Sequence, residues 1–444
     1  MSRALLQAWR NTLRRHGAGR AVVEAASGRS VSFRELDALA ETWLAAHAPD
    51  ADALAGRAAV FTRANGIGWL EIFLGLLKAG AVVVPLDPGE PVAAQRRVAT
   101  DLRAGFWWDG AALQPLAKGR RYRDPAVGLI KLTSGSTGRP RALVFTDRQM
   151  LADGRQVTQT MRIAAGDLNY ALIPLGHSYG LGNLTIPLLA HGVPLVCGTA
   201  ALPQAIAGDF ARWQPTVFPG VPPMWRALAA SAVRLDSLRT GISAGAPLSP
   251  DVARDFAARF GRRLHSFYGS SETGGISYDR SGQAALAGTV GTAMRGVKLT
   301  ALPGQRLRVS SAAVVTYGRT GTRRLHGAWL MPDRAEIGAR GEVRLLGRRG
   351  ATVKVAGRRV NLAEVTGRLR NLPGVREAWA GVGGGADPVL AAVVATDRSA
   401  ADLRLALAPT TAAWLIPKKL VIVATLPVTA RGKVDVRALQ GMVS

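Results

Sequence analysis

Two short apolar runs, residues 127–130 and 142–145, flank a segment in which residues 133–138 are all serine, threonine or glycine. Apolar runs of this length, bounded by glycine and proline, are typical of β-strands. The pattern therefore predicts two strands joined by a tight loop that carries the polar residues.

A longer apolar stretch, residues 69–88, predicts a helix followed by a buried strand. Its length is close to that of a membrane span. Glu71 and Lys78 interrupt it, however, and Gly80 and Pro85 break it into two elements. We therefore expect no transmembrane segment here.

Helix-type and strand-type patterns alternate along most of the chain, which predicts an α/β fold class. Near the N-terminus, Ser32 and Glu35 have the spacing of a capping box, which predicts that a helix begins there. With 444 residues, the chain is long enough for two or more domains with a sizeable core.

The net charge of +27 raises the question of nucleic-acid binding, the usual explanation for so basic a protein. The charges are scattered, aromatic residues make up only 6% of the chain, and no helix-turn-helix or RNA-binding signature occurs. We therefore expect no nucleic-acid partner. Two explanations of the charge stay open: a compositional bias toward arginine, and an acidic macromolecular partner that docks by charge complementarity.

Cys197 is the single cysteine, so the sequence predicts neither a disulfide framework nor a zinc cluster. The first ten residues lack the apolar core of a signal peptide. We therefore expect a cytoplasmic, reducing location, where ATP is available.

The polar loop has the composition of an anion-binding site. Glycine tolerates positive φ and lets several backbone N–H groups turn inward, while the hydroxyls add further donors. Arg139 and Arg141 add fixed positive charge beside it. For the loop in isolation, a flexible hairpin tip is the alternative. Neither a Walker-type sequence nor a Gly-x-Gly-x-x-Gly motif after a first strand occurs, which argues against those nucleotide-binding folds.

The loop resembles the phosphate-binding signature of the adenylate-forming superfamily, which includes acyl- and aryl-CoA synthetases, adenylation domains of peptide synthetases, and luciferase. The family signature ends in Lys-Gly, where this chain has Arg141 and Ala142, so the charge is kept and the glycine is not. Further segments resemble family motifs in the family's order, namely residues 174–181, 243–248, 268–273, 347–357 and 427–433.

The resemblance implies a large, multi-sheet N-terminal domain, residues 1–347, and a small, mobile α+β C-terminal domain, residues 351–444. A hinge at residues 348–350 would join them, with a glycine near the pivot to absorb the torsional change. One orientation of the small domain would bring a lysine to the site for adenylation. The other would present the face around Gly357 for thioester formation.

The resemblance also implies how ATP and Mg²⁺ would be held. Glu272 and Ser271 would be Mg²⁺ ligands, and Lys433 would bridge the substrate carboxylate and the α-phosphate as a compact positive charge. Asp333 would bind the ribose, although the two residues before it differ from the family's Thr-Gly, and Arg348 would contact the ribose or the α-phosphate. The other implied nucleotide-binding residues are Thr133, Ser134, Gly135, Ser136, Thr137, Gly138 and Arg141 of the phosphate loop, Ser243, Ala244, Gly245, Ala246 and Pro247 of the adenine-binding loop, and Tyr268, Gly269 and Ser270.

The acyl pocket is expected around His177, Ser178 and Tyr179, together with Gly245 and Gly269. His177 would be a catalytic gate over the pocket, and a buried core histidine is the alternative. The His-Ser-Tyr order resembles that of hydroxybenzoate-activating members, and a polar residue there can hydrogen-bond a ring hydroxyl. We therefore expect a small aromatic acid of the hydroxybenzoate type, while a fatty acid stays open. The acyl acceptor would be the phosphopantetheine thiol of an acidic acyl carrier protein, or free CoA.

Residues 241–245 also match Gly-x-Ser-x-Gly, the nucleophile elbow of α/β-hydrolases. Ser243 would then be the nucleophile, with His265 or His326 as its base. This interpretation leaves the polar loop and Lys433 unexplained, so we prefer the adenylate-forming enzyme and keep the hydrolase as the alternative. Within the superfamily, an oxygenase or a β-lactone former would share the adenylation step and differ in the second.

Overall fold

The computed structural model describes residues 4–48, 50–117, 119–133, 141–315, 327–348, 352–355, 358–383, 389–409, 411–429 and 434–444. In chain order, the helices of these residues are α1 (Ala4–His16), α2 (Phe33–His47), α3 (Ala51–Leu54), α4 (Ile67–Lys78), α5 (Val92–Asp101), α6 (Asp147–Met161), α7 (Ser178–Gly180), α8 (Ile186–His191), α9 (Pro203–Trp213), α10 (Pro222–Ala229), α11 (Pro250–Phe260), α12 (Leu362–Arg370), α13 (Ala400–Leu407) and α14 (Val436–Val443). A π-helical turn, Leu181–Thr185, lies between α7 and α8, and a 3₁₀ turn, Ala413–Leu415, follows α13.

The strands of the described residues are β1 (Arg20–Glu24), β2 (Ser30–Ser32), β3 (Ala58–Thr62), β4 (Val82–Leu86), β5 (Phe106–Trp108), β6 (Leu113–Pro115), β7 (Val127–Thr133), β8 (Arg141–Thr146), β9 (Asn169–Ala171), β10 (Leu195–Cys197), β11 (Val217–Gly220), β12 (Thr240–Ser243), β13 (Leu264–Ser270), β14 (Gly274–Tyr278), β15 (Thr292–Ala293), β16 (Lys298–Leu302), β17 (Arg306–Ser310), β18 (Ala328–Ile337), β19 (Val343–Arg348), β20 (Thr352–Val355), β21 (Arg358–Asn361), β22 (Val375–Gly383), β23 (Val389–Thr396) and β24 (Lys419–Val423). They form a nine-stranded sheet in the order β15-β14-β13-β12-β11-β9-β10-β1-β2, a six-stranded sheet in the order β6-β5-β3-β4-β7-β8, and three smaller sheets, β16-β17-β18-β19, β20-β21 and β22-β23-β24.

The centre of the nine-stranded sheet is parallel, from β1 through β10, β9, β11 and β12 to β13. Its two faces are both covered. Val22 of β1 packs in one apolar cluster with residues of α2 and α4, whereas its neighbour Val23 packs in another with residues of α9, α10 and α11. The first cluster also contains Val83 and Leu129 of the six-stranded sheet, so a layer of helices lies between the two large sheets. Burial on both faces is consistent with the apolar residues 21–23 of β1 and 195–197 of β10, which are buried on successive positions.

The elements predicted from local patterns are confirmed. The polar loop joins β7 and β8, which pair antiparallel, and the stretch at residues 69–88 forms α4 and the fully buried β4. Ser32 caps α2 with both bonds of a capping box: its hydroxyl accepts from the Glu35 N–H at 3.2 Å, and the Glu35 carboxylate accepts from the Ser32 N–H at 2.7 Å.

The C-terminal part is an α+β unit built on β22-β23-β24. Leu403 and Leu369 pack against Val394 on one face of this sheet, and Leu439 of α14 packs against Val393 on the other. Where the chain enters this part, Gly347 has a φ of +92°, and a Cβ at this position would lie 2.1 Å from Ala363 Cβ. Both the left-handed backbone and the close approach of α12 require glycine here.

The predicted fold class is confirmed, since a large multi-sheet α/β part precedes a smaller α+β part. Among the described residues, no helix has the length and apolarity needed to cross a bilayer. The domain bounds stay a prediction, because residues 349–351 lie outside the described part of the chain.

Candidate active site

The ends of the polar loop are fixed side by side. Thr133 closes β7 and Arg141 opens β8, and the two residues are partners in the antiparallel ladder. Ser134, Gly135, Ser136, Thr137 and Gly138 lie outside the described residues, so their predicted contacts with phosphate stay a prediction. A ligand bound by this loop would therefore lie where β7 ends and β8 begins.

The next predicted residues lie at the carboxyl ends of two parallel strands of the nine-stranded sheet, β12 and β13. Ser243 ends β12, residues 244–247 follow it, and Tyr268, Gly269 and Ser270 form the end of β13. Because the carboxyl ends of parallel strands meet at the same edge of a sheet, ligand sites of open α/β sheets lie there. The structure thus brings together two motifs that are separated by more than 20 residues in the sequence.

Residues 271–273 form a turn between β13 and β14 that holds the predicted metal ligands. The Ser270 and Thr273 hydroxyls lie 3.1 Å apart, Thr273 is fully buried, and the Glu272 carbonyl accepts from the Val315 N–H at 2.8 Å. The Glu272 side chain is half-buried. Its backbone is therefore fixed at a position where the residue is only partly buried.

The predicted acyl-pocket segment contacts this turn directly. The Ser178 hydroxyl donates to the Ser271 hydroxyl at 2.9 Å, across 93 residues of sequence. His177 lies just before α7, and its Nδ1 accepts from the Tyr179 N–H at 3.4 Å, which is the geometry of a helix cap. The two motifs expected to hold the acid and the nucleotide therefore lie side by side.

Tyr179 lies at the ends of the paired strands β11 and β12. Its hydroxyl donates toward the carbonyls of Gly220 and Ile242, at 3.4 and 3.3 Å, and its ring lies 5.7 Å from that of Phe267. Burial raises the pKa of Tyr179 well above its ordinary value, so the hydroxyl keeps its proton and remains a donor. The ring of Tyr179 is therefore neutral and held at the ends of these two strands.

Asp333 and Arg348, the predicted ribose and phosphate contacts, are paired neighbours on β18 and β19. The Tyr268 hydroxyl donates to the Asp333 carboxylate at 2.8 Å, which ties this sheet to the end of β13. For Arg348 the structure describes the backbone only, and Gly357 and Lys433 lie outside the described residues. The predicted roles of these three residues stay predictions.

The sequence analysis missed two buried charged residues beside the turn. Lys131 on β7 and Asp153 on α6 are each 3% exposed. The Asp153 carboxylate accepts from the Gly275 N–H at 3.0 Å, just after the Glu272 turn. For Lys131 a signal existed, because a charged residue interrupts an otherwise apolar strand. For Asp153 there was none, since an aspartate in a helix is usually on the surface.

Burial has the largest effect on the pKa of both residues. It lowers the pKa of Lys131, an effect that the carboxylates of Asp153 and Glu272 oppose. It raises the pKa of Asp153, an effect that the Lys131 ammonium and the Gly275 N–H oppose. Lys131 therefore lies within electrostatic range of both carboxylates, and Lys131 and Asp153 are themselves buried.

The geometry does not support the hydrolase alternative. Ser243 is 2% exposed, and its hydroxyl has no hydrogen-bond partner among the described residues. The Nδ1 atom of His265 lies 2.7 Å from the carbonyl oxygen of Asp279 rather than near a serine, and His326 lies outside the described residues. An activated serine needs a base within hydrogen-bonding distance, and the described part of the chain provides none for Ser243.

The candidate metal donors fit Mg²⁺. In the part of the chain that the structure describes, no three His, Cys, Asp or Glu side chains converge on a point. Mg²⁺ is commonly bound by one or two carboxylates together with substrate phosphates and water. Glu272, with the hydroxyl of Ser271 beside it, is a donor set of this kind.

Comparison with known proteins identifies the family. The profile described as "AMP-binding enzyme" matches residues 108–331, half of the chain, and the chain belongs to this family. It is 28% identical to a feruloyl-CoA synthase of Amycolatopsis sp. over 256 residues, which cover 51% of this chain and 52% of that protein. It is 29% identical to an anthranilate–CoA ligase of Pseudomonas aeruginosa over 215 residues, which cover 47% and 40%. The chain thus spans about half the length of the curated relatives that it matches.

Solved structures share the whole architecture. The structure of Klebsiella oxytoca NpsA in complex with 3-hydroxyanthranilyl-AMSN superposes with a TM-score of 0.84 at 21% identity, covering 100% of both chains. This similarity establishes the adenylate-forming fold.

Proposed function

We propose that this protein is an ATP-dependent acid–thiol ligase. It joins a carboxylic acid to AMP with release of pyrophosphate, and then transfers the acyl group to a phosphopantetheine thiol. The observation that carries the proposal is the 2.9 Å hydrogen bond between Ser178 and Ser271. It supports the proposal because it joins the segment expected to bind the acid to the turn expected to bind the nucleotide and the metal, so a carboxylate and an α-phosphate could meet there.

In the first step, a carboxylate oxygen attacks the α-phosphorus of ATP, and the bond to the β-phosphate bridging oxygen breaks. Both reactants are anionic, so the site has to supply positive charge and orientation. The phosphate loop with Arg141 would hold the leaving pyrophosphate. Lys433 would lie between the carboxylate and the α-phosphate.

In the second step, a thiolate attacks the acyl carbon and AMP leaves with both electrons of the acyl C–O bond. The small domain would have rotated by then, so that the face around Gly357 lines the entry of the phosphopantetheine arm. Rotation would also withdraw Lys433, which the second step does not need. The hinge at residues 348–350 and the domain bounds 1–347 and 351–444 belong to this proposal.

Magnesium, held by Glu272 with Ser271 nearby, would neutralise part of the phosphate charge. The fold holds these two residues in position, because the turn that carries them is fixed by the hydrogen bond to the Glu272 carbonyl and by the burial of Thr273. The fixed backbone lets the carboxylate meet the nucleotide without reorganisation.

We propose a small aromatic acid of the hydroxybenzoate type as the substrate. Two features support this choice: the Tyr179 hydroxyl is bonded to the carbonyls at the ends of β11 and β12, so that its ring would close a pocket there, and His177 and Ser178 beside it are polar. The Amycolatopsis and Pseudomonas relatives are named for aromatic acids, ferulate and anthranilate.

We propose an acyl carrier protein as the acceptor, with free CoA as the second candidate. The net charge of +27 favours an acidic protein partner through charge complementarity. CoA is also anionic, and relatives are named as a CoA synthase and as CoA ligases, so both acceptors belong in the assay.

The substrate test is ATP–pyrophosphate exchange across the hydroxybenzoate isomers, cinnamates, amino acids and fatty acids of increasing length. We expect exchange with a hydroxybenzoate and none with long-chain acids. Once the active acid has been identified, formation of the thioester is measured first with CoA and then with an acidic carrier protein. Exchange with fatty acids alone would contradict the proposal of an aromatic substrate, but it would still support the adenylation step.

We expect Glu272→Gln to lower the exchange rate by about 10²- to 10³-fold, because the neutral amide is a poor Mg²⁺ ligand in a preorganised electrostatic site. The half-saturating Mg²⁺ concentration should rise as well, which a Mg²⁺ titration at fixed ATP measures. Glu41→Gln is the control, because Glu41 lies on the surface with a side chain 65% exposed. Equal exchange rates in the two variants would remove Glu272 from the metal site.

A further inference from the structure

We propose that Asn65 is a positioning residue for the acyl pocket. Its side-chain amide holds the backbone segment at residues 172–176, which leads from β9 into α7. The inference rests on the proposed function, because it assumes that the carboxylic acid binds beside α7. It adds a residue that determines substrate selectivity from a distant loop, between β3 of the six-stranded sheet and α4.

The side chain of Asn65 reaches across to the segment just after β9 has ended. Its Oδ1 accepts from the Leu175 N–H at 2.9 Å, and its Nδ2 donates to the Ile173 carbonyl at 2.9 Å. A neighbouring parallel strand would bond the same two groups, a carbonyl and the N–H two residues further on. The amide of Asn65 therefore takes the place of a strand partner where the sheet provides none.

The two backbone groups depend on this amide. Ile173 is 4% exposed and Leu175 is fully buried. Among the residues that the structure describes, neither the Ile173 carbonyl nor the Leu175 N–H has a second hydrogen bond. A buried backbone group without a partner is costly, so the segment would move to satisfy these groups elsewhere if the amide were removed.

The segment packs against α7 with no room between them. A Cβ at Gly180, the last residue of α7, would lie 2.0 Å from the Pro174 carbonyl oxygen. On the other side, the Leu175 carbonyl accepts from the hydroxyl of the buried Thr185 at 3.2 Å, on the π-helical turn that follows α7. Because close-packed groups transmit a displacement, a shift of the segment would also move the polar groups of α7.

The loop that carries Asn65 is anchored separately. The Ile67 N–H donates to the Glu24 carboxylate at 2.9 Å, and a Cβ at Gly66 would lie 2.6 Å from the same carboxylate oxygen. Glu24 is the last residue of β1, so the loop is tied to the nine-stranded sheet. Asn65 thus holds the segment from a fixed position.

The test measures ATP–pyrophosphate exchange at varied acid and at varied ATP, with the acid that gives the highest rate. For Asn65→Leu, which has a similar volume and makes neither hydrogen bond, we expect the half-saturating acid concentration to rise about tenfold and that of ATP to stay the same. Selectivity among related acids should fall as well, because the polar groups of α7 are displaced. For Asn65→Asp, which keeps an acceptor for the Leu175 N–H, we expect a rise of about threefold for the acid alone.

Thr216→Val is the matched control. The Thr216 hydroxyl accepts from the Leu168 N–H at 3.0 Å, just before β9 begins. The substitution therefore removes the same kind of contact, a side chain bonded to the backbone, at the opposite end of the same strand. It should lower the free energy of unfolding and leave the selectivity and both half-saturating concentrations unchanged.

The outcomes separate the inference from the proposed function. A wild-type protein that shows exchange with no acid overturns both. If the wild type shows exchange, an Asn65→Leu variant with unchanged acid affinity, or with equal losses of acid and ATP affinity, overturns the inference alone. If Asn65→Leu does not fold, Asn65→Asp decides: a higher half-saturating concentration for the acid but not for ATP supports the inference, and an unchanged value for the acid overturns it.

Discussion

Lys433→Ala is expected to lower ATP–pyrophosphate exchange by about 10²- to 10³-fold, the cost of removing one preorganised charge from a developing anionic centre. The carboxylate and the α-phosphate repel each other, and the lysine ammonium is the group proposed to lie between them. In the proposed mechanism Lys433 leaves the site before the thiol attacks. Transfer from a chemically prepared acyl-adenylate to the thiol should therefore proceed at close to the wild-type rate.

Lys418→Ala serves as the control for this substitution, because Lys418 is an exposed lysine of the same C-terminal part. It should leave both half-reactions unchanged. If Lys433→Ala instead slowed both half-reactions equally, the residue would act through the fold of the small domain. If it slowed neither, the role implied by the resemblance would be wrong.

Trp225→Ala is expected to destabilise the large domain by about 3–5 kcal/mol, the usual cost of deleting a buried tryptophan. The side chain is fully buried, its ring lies 4.7 Å from that of Phe218 and 5.3 Å from that of Phe256, and its N–H donates to the Ile242 carbonyl at 3.3 Å. Truncation would leave a cavity and remove one of the two side-chain donors to the Ile242 carbonyl. Denaturant unfolding followed by circular dichroism measures the change.

Leu202→Ala is the comparison, because Leu202 is 65% exposed in the same part of the chain and should change stability by no more than about 0.5 kcal/mol. Trp225→Phe should recover part of the loss by filling most of the space. A loss of less than about 1 kcal/mol in Trp225→Ala would contradict the packing described here.

Local patterns predicted the elements whose structure depends on neighbouring residues. The β7–β8 hairpin, α4 with β4, and the capping box of Ser32 and Glu35 are of this kind. The order of strands in the sheets was not predictable from local patterns. Val22 of β1, for example, pairs with Leu195 of β10, more than 170 residues away, and nothing in either short apolar run specifies its partner.

In the candidate site, too, the sequence identified single residues, whereas the contacts between them required the structure. The motifs identified Ser271 and Ser178 separately, and only the folded chain shows that their hydroxyls meet. Tyr268 and Asp333 were predicted as nucleotide contacts, but their hydrogen bond joins two sheets and could not be derived from spacing. Asp153 could not be found at all, because its burial depends on the glycines at positions 182 and 274, which come from distant segments.

The most direct test of the central claim is the fate of the carboxylate oxygen. The active acid is prepared with ¹⁸O in both carboxylate oxygens and turned over with ATP and the thiol acceptor, and the products are analysed by mass spectrometry. Attack of the carboxylate on the α-phosphorus predicts AMP that carries one ¹⁸O atom and pyrophosphate that carries none. Unlabelled AMP, or ADP together with labelled phosphate, would show that no acyl-adenylate forms and would contradict the account.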